Sequence, residues 1–532
     1  MQGYLCLVLH AHLPFVRHPE CDKFLEETWL FETITESYIP LMQLIEGWRK
    51  DGIGARLTFT LTPTLCAMLQ DSLLQTRYRR HLDELIELAE KEIHRTLWEK
   101  DYHQLAQLYH ERLVATRDFY QQQGGDLVAS FRRAQERGQL EIITSAATHA
   151  LLPLLAGHLP SLRGQILTAR DQYQSCFGQA PRGIWLPECA YAEGLEGVLS
   201  EAGIEWFIVD SHGLLHATPR PRYGMFAPVL SHKGIAAFGR DLASAKQVWS
   251  RQEGYPGNPR YRDFYRDIGF DLDLDYLKPY WAAPDWRTFT GIKYHRITES
   301  GPHKAIYERA AALQTAAEHA AHFLTVRIEQ IQRLRAILNR PPVVVSPYDA
   351  ELFGHWWYEG PEFLDFFVRK AWFDQKILEL ITPSDYLRRH DRHQVAAPAS
   401  SSWGEEGYWR VWLNETNQWI YPHLHAAQER MTQLARRFGA HGQSESGLPD
   451  PLQARALKQA GRELLLAQAS DWPFILRTGT NPDYARKRVK DHLLRFTRIY
   501  QQLANNHIAE AWLNGIEQTD NIFPHLDYSY WK

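Results

Sequence analysis

The stretch VVVSPYDAELFGHWWY, Val343 to Tyr358, runs an unbroken β-branched segment into two acidic residues, Asp349 and Glu351, and then into His355 and an aromatic cluster. A short apolar run without polar alternation is the pattern of a strand buried on both faces. Six more runs of this kind lie upstream, at Tyr4–Leu9, Leu57–Leu61, Leu140–Ile143, Gly183–Leu186, Trp206–Val209 and Ile235–Phe238. Helical periodicity fills the intervals. Strands and helices in alternation predict a parallel sheet covered on both faces, most simply a (β/α) barrel of seven or eight strands.

Two stretches are too long for a single crossover. Residues 66–138, which include ELIELAEKEIHRTLWEK, read as a helical insertion within a unit spanning 1–398. His303 to Asn339 reads as one long helix, stopped by Pro341 and Pro342. Composition shifts at His390–Ser402, and from there the pattern is helical to the end apart from the polar loop Gly439–Asp450, so 399–532 is read as a helical C-terminal domain.

A chain of 532 residues with 44% hydrophobic content can bury a large core. With 59 Lys and Arg against 63 Asp and Glu, the net charge of −4 provides no attraction to nucleic acid or to an anionic membrane. The first residues, MQGYLCLVLHAHLPF, lack a basic leader and read as a strand, not a signal peptide. The five cysteines form no CxxC pair, which fits reduced thiols and a cytoplasmic setting. The excess is in tryptophan: 18 residues, about three times the usual share.

Polar residues follow the apolar runs with regularity: His10 and His12, Thr144 and His149, Glu188, Asp210, Arg240, Asp349. In a parallel barrel all strands end on one face, so these groups are expected to converge. Glu188 sits in GIWLPECAY, where Pro187 stiffens the turn and Trp185 and Tyr191 stand ready to flank a sugar ring. Asp349 has a plainer reading as a helix N-cap, but capping does not call for the costly aromatic run beside it. Two carboxylates are the minimum for glycoside hydrolysis, one to attack or to activate water and one to protonate the leaving oxygen. Trp185, Trp356, Trp357, Trp403, Trp409 and Trp412 are candidate sugar platforms, although core packing is the commoner fate of any single indole. The HxH of His10 and His12 also admits a metal-ligand reading.

Five segments then carry a resemblance to glycoside hydrolase family 57 and, within it, to the α-1,4-glucan branching enzymes: HAHLPFVRHP from His10, EIITSAATH from Glu141, the Gly183–Tyr191 segment, Ser346–Gly360, and Ser402-Trp403-Gly404 through Trp412-Leu413-Asn414. The resemblance implies a distorted (β/α)7 barrel, a helical C-terminal domain closing over the cleft, a retaining mechanism, and no metal or other cofactor. It implies Glu188 as nucleophile and Asp349 as acid/base. His10, His12 and His149 match sugar-contacting histidines, Trp403 and Trp412 match cleft aromatics, and Asp471 in Ala469–Phe474 matches a polar contact. Trp185, Arg240 and Trp356 are added as substrate contacts from their placement.

The sequence departs from the branching pattern where that group resembles itself in carrying a tyrosine-tipped covering loop. Ala227–Arg240, APVLSHKGIAAFGR, has no tyrosine and only about six residues before the next strand. Ala150 and His295 are smaller departures, at positions where the group commonly has Gly and Trp. The leading expectation is a glycogen-type branching enzyme, the second an amylase-like α-1,4-glucan hydrolase, and the third a non-catalytic glucan-binding protein.

Overall fold

The computed structural model describes residues 1–250, 252–281, 287–298, 304–441 and 450–532. Seven parallel strands form the centre: β1 (Gly3–Ala11), β2 (Leu57–Leu61), β3 (Leu140–Ile143), β4 (Gly183–Ile184), β5 (Trp206–Val209), β6 (Ala236–Gly239) and β7 (Val343–Asp349). They fall into two sheets, one ordered β3-β2-β1-β7 and the other containing β6-β5-β4. Single parallel bridges, Thr144 with Ile184 and Arg240 with Val345, join the sheets at both seams. The ring is therefore closed, and its weak seams are the distortion in the (β/α)7 barrel.

Alternation along the strands explains how the sequence fills this ring. Cys6 and Val8, Trp206 and Ile208, Ala236 and Phe238, Val343 and Val345 pack into one buried cluster with Ile143 and Trp185, while Leu5, Leu7 and Leu9 belong to the larger core shared with the helices. Two residues further along the same inward-facing rows come His10, Asp210, Arg240 and, after Pro347, Asp349. The chemistry is the topmost layer of the barrel's own packing pattern.

Several boundaries differ from the sequence reading. β4 keeps only two of its four expected residues, because Pro187 starts a 3-10 turn just beyond. Three short strands went unread: Val229–Leu230, Leu378–Leu380 and Gln394–Val395. At two or three residues each they have no period to detect. The insertion comprises helices Ser72–Arg95 and Lys100–Gln122, followed by Leu127–Glu136. The long helix before β7 is Arg309–Ile337, with its expected start at His303 outside the described residues, as is most of the expected loop Gly439–Asp450. From Ile420 onward the described residues are mainly helical, with Ile420–His441, Pro451–Ala467 and Pro482–Ala504 as the long elements. Among the described residues, no helix is long and apolar enough to cross a membrane.

Candidate active site

Glu188 follows β4 in a backbone conformation that side-chain-bearing residues rarely adopt, with φ of 63°; neighbouring Cys189 has φ of 50°, and His149 across the site 54°. Such conformations are unfavourable by about 1–3 kcal/mol each and persist where surrounding contacts impose them. Here the contacts come from the segment around residue 400. Tyr191 and Ser401 exchange backbone hydrogen bonds of 2.8 and 3.1 Å, and Trp403 N donates to Glu188 O at 3.0 Å. The same tryptophan then donates its indole Nε1–H to Glu188 Oε2 at 2.7 Å. Trp403 thus holds both the backbone and the carboxylate of Glu188.

A second line of contacts reaches the other oxygen. His10 Nε2 and His149 Nε2 are 3.1 Å apart, His149 Nδ1 lies 2.9 Å from Ser470 Oγ, and Ser470 Oγ donates to Glu188 Oε1 at 3.4 Å. One set of tautomers serves the whole line: His10 donates to His149, His149 to Ser470, and Ser470 to the carboxylate. Burial, reinforced by the neighbouring His12, holds His10 and His149 well below the ordinary imidazole pKa, so both are neutral as this line requires. Ser470 reaches the site because Ala150 pairs with Ala469 in an antiparallel bridge.

His12 completes the cluster. Its Nε2 lies 3.1 and 3.2 Å from the two oxygens of Asp471, its Nδ1 3.1 Å from Thr62 Oγ1, and its ring stacks on His149 at 3.8 Å. Its backbone N–H donates to Glu351 Oε1 at 3.2 Å, and Tyr38 OH donates to the same oxygen. Among the described residues, His12, His149 and Asp471 offer ligand atoms within 4.8 Å of one another, as do Glu463, His492 and Asp520 elsewhere, and His10 belongs to neither group. A cation at the first group would have to displace the His12–Asp471 and His10–His149 hydrogen bonds.

Asp349 ends β7, paired in register with His10. The capping alternative fails: Asp349 precedes the short turn Ala350–Leu352 but its side chain makes no capping hydrogen bond. Burial raises its carboxyl well above the usual carboxylate range, the charges of Glu351 and Glu188 raise it further, and Arg240 partly offsets them. Burial pushes Glu188 up to about 7, while the hydrogen bond from Trp403 draws it down. Arg240 is itself anchored, with Nη1 3.2 Å from Asp210 Oδ2 and its guanidinium 5.2 Å from the Trp403 ring.

The other expected contacts divide. Trp185 is fully buried, stacked on His10 at 4.7 Å and edge-on to Trp403 at 4.9 Å; it supports the rings that form the site and does not itself reach the cleft. Tyr191 is equally buried, stacked on Phe207 with its hydroxyl on Glu196. Trp412 is 2% exposed and packs with Leu151 and Ala190. Trp356 is 53% exposed and lies against Phe264, away from the Glu188 cluster. Strand alternation fixes the inward rows but does not distinguish a ring that lines a cleft from one beneath it.

Sequence reasoning missed three contributors. Ser470 was one residue from the noted Asp471. Tyr38 arrives through a π-helical turn, Ile34–Tyr38, which no periodicity announces. Trp249, 45% exposed at the end of helix Leu242–Trp249, stands 6.4 Å from Trp403; its signal was the helix that follows Arg240.

A closed ring of parallel strands, with two carboxylates and stacked imidazole and indole rings at its C-terminal mouth, defines a barrel enzyme that processes glycosidic bonds. Residues 6–398 match glycosyl hydrolase family 57, and residues 423–531 match the 1,4-alpha-glucan branching enzyme C-terminal domain. The chain belongs to glycosyl hydrolase family 57. It is 31% identical to the 1,4-alpha-glucan branching enzyme TK1436 of Thermococcus kodakarensis, across 98% of this chain and 78% of that one. The crystal structure of the alpha-amylase AmyC from Thermotoga maritima superposes with a TM-score of 0.92 at 44% identity, covering 100% of this chain and 99% of the other. That of the family 57 branching enzyme from Pyrococcus horikoshii gives 0.89 at 30% identity, covering 100% and 97%.

Proposed function

We propose that this chain is a 1,4-α-glucan branching enzyme that acts by retaining double displacement and builds α-1,6 branches in glycogen-type polymers of the cytoplasm. The observation that carries the mechanism is the asymmetry of the two carboxyls. Glu188 receives hydrogen bonds from Trp403 and Ser470, which favour its ionised form. Asp349, half-buried, stands beside two other carboxylates and receives no side-chain hydrogen bond from the described residues, which favours its protonated form.

Glu188 attacks the anomeric carbon as the bond to O4 breaks, and Asp349 passes its proton to that leaving oxygen. In the second step a 6-hydroxyl of an acceptor glucan gives its proton to Asp349 and attacks the same carbon, releasing Glu188 as carboxylate. His10, His12, His149 and Asp471 are assigned to the sugar hydroxyls around the cut bond, Arg240 and Trp403 to its far side. The unit 1–398 supplies the barrel and 399–532 completes the cleft through Trp403, Ser470 and Asp471.

The match over 423–531 and the likeness to TK1436 support transfer to a sugar. One feature favours a second reading, net hydrolysis. Val229–Leu230 pairs antiparallel with the start of β6 through the tight turn Ser231–Gly234, so this hairpin extends no cover over the intermediate to exclude water. Likeness to AmyC points the same way. Incubation with amylose, followed by debranching and chain counting, is expected to show α-1,6 linkages accumulating faster than reducing ends. Reducing ends without branches would overturn the branching assignment and leave the hydrolase.

A further inference from the structure

A strip of aromatic rings leads away from the loop that carries Asp349. Trp356, half exposed, lies 4.6 Å from Phe264 at an interplanar angle of 30°. Phe264 lies 5.5 Å from Phe289, and Phe289 5.1 Å from the 44% exposed Phe270. The strip is built, not incidental: the buried Lys293 ammonium sits 4.3 Å from the Phe264 ring and 4.2 Å from the Phe289 ring, fixing the two together.

Phe289 also lines a cavity of about 120 Å³ between the helical insertion and the π-helical turn. None of the residues assigned above to the cut bond lines it. The turn separates the two places: Tyr38 faces Glu351 and the catalytic cluster, whereas Glu36 bonds His355 on the cavity side. The Glu32 carboxylate and one nitrogen of Arg262 are left over at the cavity. Glu32 makes no hydrogen bond or ion pair with the described residues. Arg262, 4% exposed, donates to Tyr109 OH at 3.2 Å and Gly291 O at 3.3 Å and lies 3.9 Å over the Tyr358 ring, while its Nε has no hydrogen-bond partner. Buried polar groups are normally satisfied, so leftovers beside open space point to a ligand that offers hydroxyls.

We infer that Trp356, Phe264 and Phe289 form a second α-glucan-binding track, ending at Glu32 and Arg262, which holds a chain remote from the bond being cut. The exposed faces of Trp356 and Phe270 at the two ends of the strip match the apolar faces of pyranose rings, with the half-buried Phe264 and Phe289 holding them in line, and the carboxylate and guanidinium match their hydroxyl rims. The track starts on the loop that follows Asp349, so one long chain can occupy both places. This inference rests on the α-glucan reading.

Migration of the full chain through native gels containing amylose tests it. Wild type is expected to be retarded, and the Trp356→Ala/Phe264→Ala double variant to bind amylose about tenfold more weakly or worse, from the loss of the Trp356 stacking face and of the ring that supports it. A Trp356→Phe variant is expected to keep most of the retardation, which separates loss of stacking from misfolding, and a Trp403→Ala variant to remain retarded through the track. Equal retardation of the double variant and wild type, or loss of retardation in Trp403→Ala alone, overturns the track and leaves the function standing. No retardation of wild type overturns the α-glucan reading itself.

Discussion

Replacing Glu188 with Gln is expected to lower amylose turnover by about 10⁴-fold or more, because the amide cannot form the bond to the anomeric carbon that divides the reaction into two steps. The fold should survive. The amide oxygen still accepts the Trp403 indole N–H at the position now 2.7 Å away, and loss of a buried charge removes a desolvation penalty. Asp349→Asn should behave differently, with an effect that depends on the leaving group. On amylose, loss of the proton donor is expected to slow turnover by roughly 10²–10⁴-fold, whereas a glucosyl fluoride, which leaves without protonation, should still glycosylate the enzyme. Steady-state rates on the two substrates check both. A Glu188→Gln variant within tenfold of wild type would remove Glu188 from the mechanism.

The second large effect concerns Trp403. Trp403→Phe retains an aromatic ring against Trp185 and Arg240 but deletes the N–H that draws the Glu188 pKa down toward its value of about 7. A hydrogen bond to a charged group contributes about 1.5–3 kcal/mol, which corresponds to a shift of about one to two pKa units. The sign follows from which form the bond favours. Trp403 stabilises the carboxylate, so its loss raises the Glu188 pKa and reduces the ionised fraction at neutral pH. The acid limb of the kcat/KM profile should therefore move to higher pH by about one to two units, with kcat/KM at pH 7 falling by about 5- to 50-fold. An unmoved acid limb with only KM raised would show Trp403 to be a sugar platform and not a determinant of the nucleophile's charge.

The barrel was legible because its inward rows are simple. Cys6 and Val8 lead to His10, Trp206 and Ile208 to Asp210, Ala236 and Phe238 to Arg240, and the polar residue that ends each row lies at the strand's C-terminal end. Asp349 ends such a row, whereas Glu188 was legible from its GIWLPECAY setting and stands on a 3-10 turn beyond β4. What strand periodicity does not carry is depth and arrival from elsewhere. Trp185 and Tyr191 flank Glu188 in the chain yet lie under the site, fully buried, because a ring next to a catalytic turn can support it as readily as touch substrate. Ser470 and Asp471 arrive through the Ala150–Ala469 bridge, a contact across more than 300 residues that no local pattern announces. The Ala227–Arg240 segment, expected to be short, contains the tight Ser231–Gly234 turn.

The central claim is that Glu188 becomes covalently glycosylated. It is tested most directly by treating the Asp349→Asn variant with a maltosyl fluoride, quenching in acid, and sequencing the proteolytic peptides by mass spectrometry. The expected result is one added maltosyl group on the peptide that contains Gly183–Tyr191, localised to Glu188. A maltosyl group on any other carboxylate, or turnover to the inverted anomer with no adduct at all, would contradict the account.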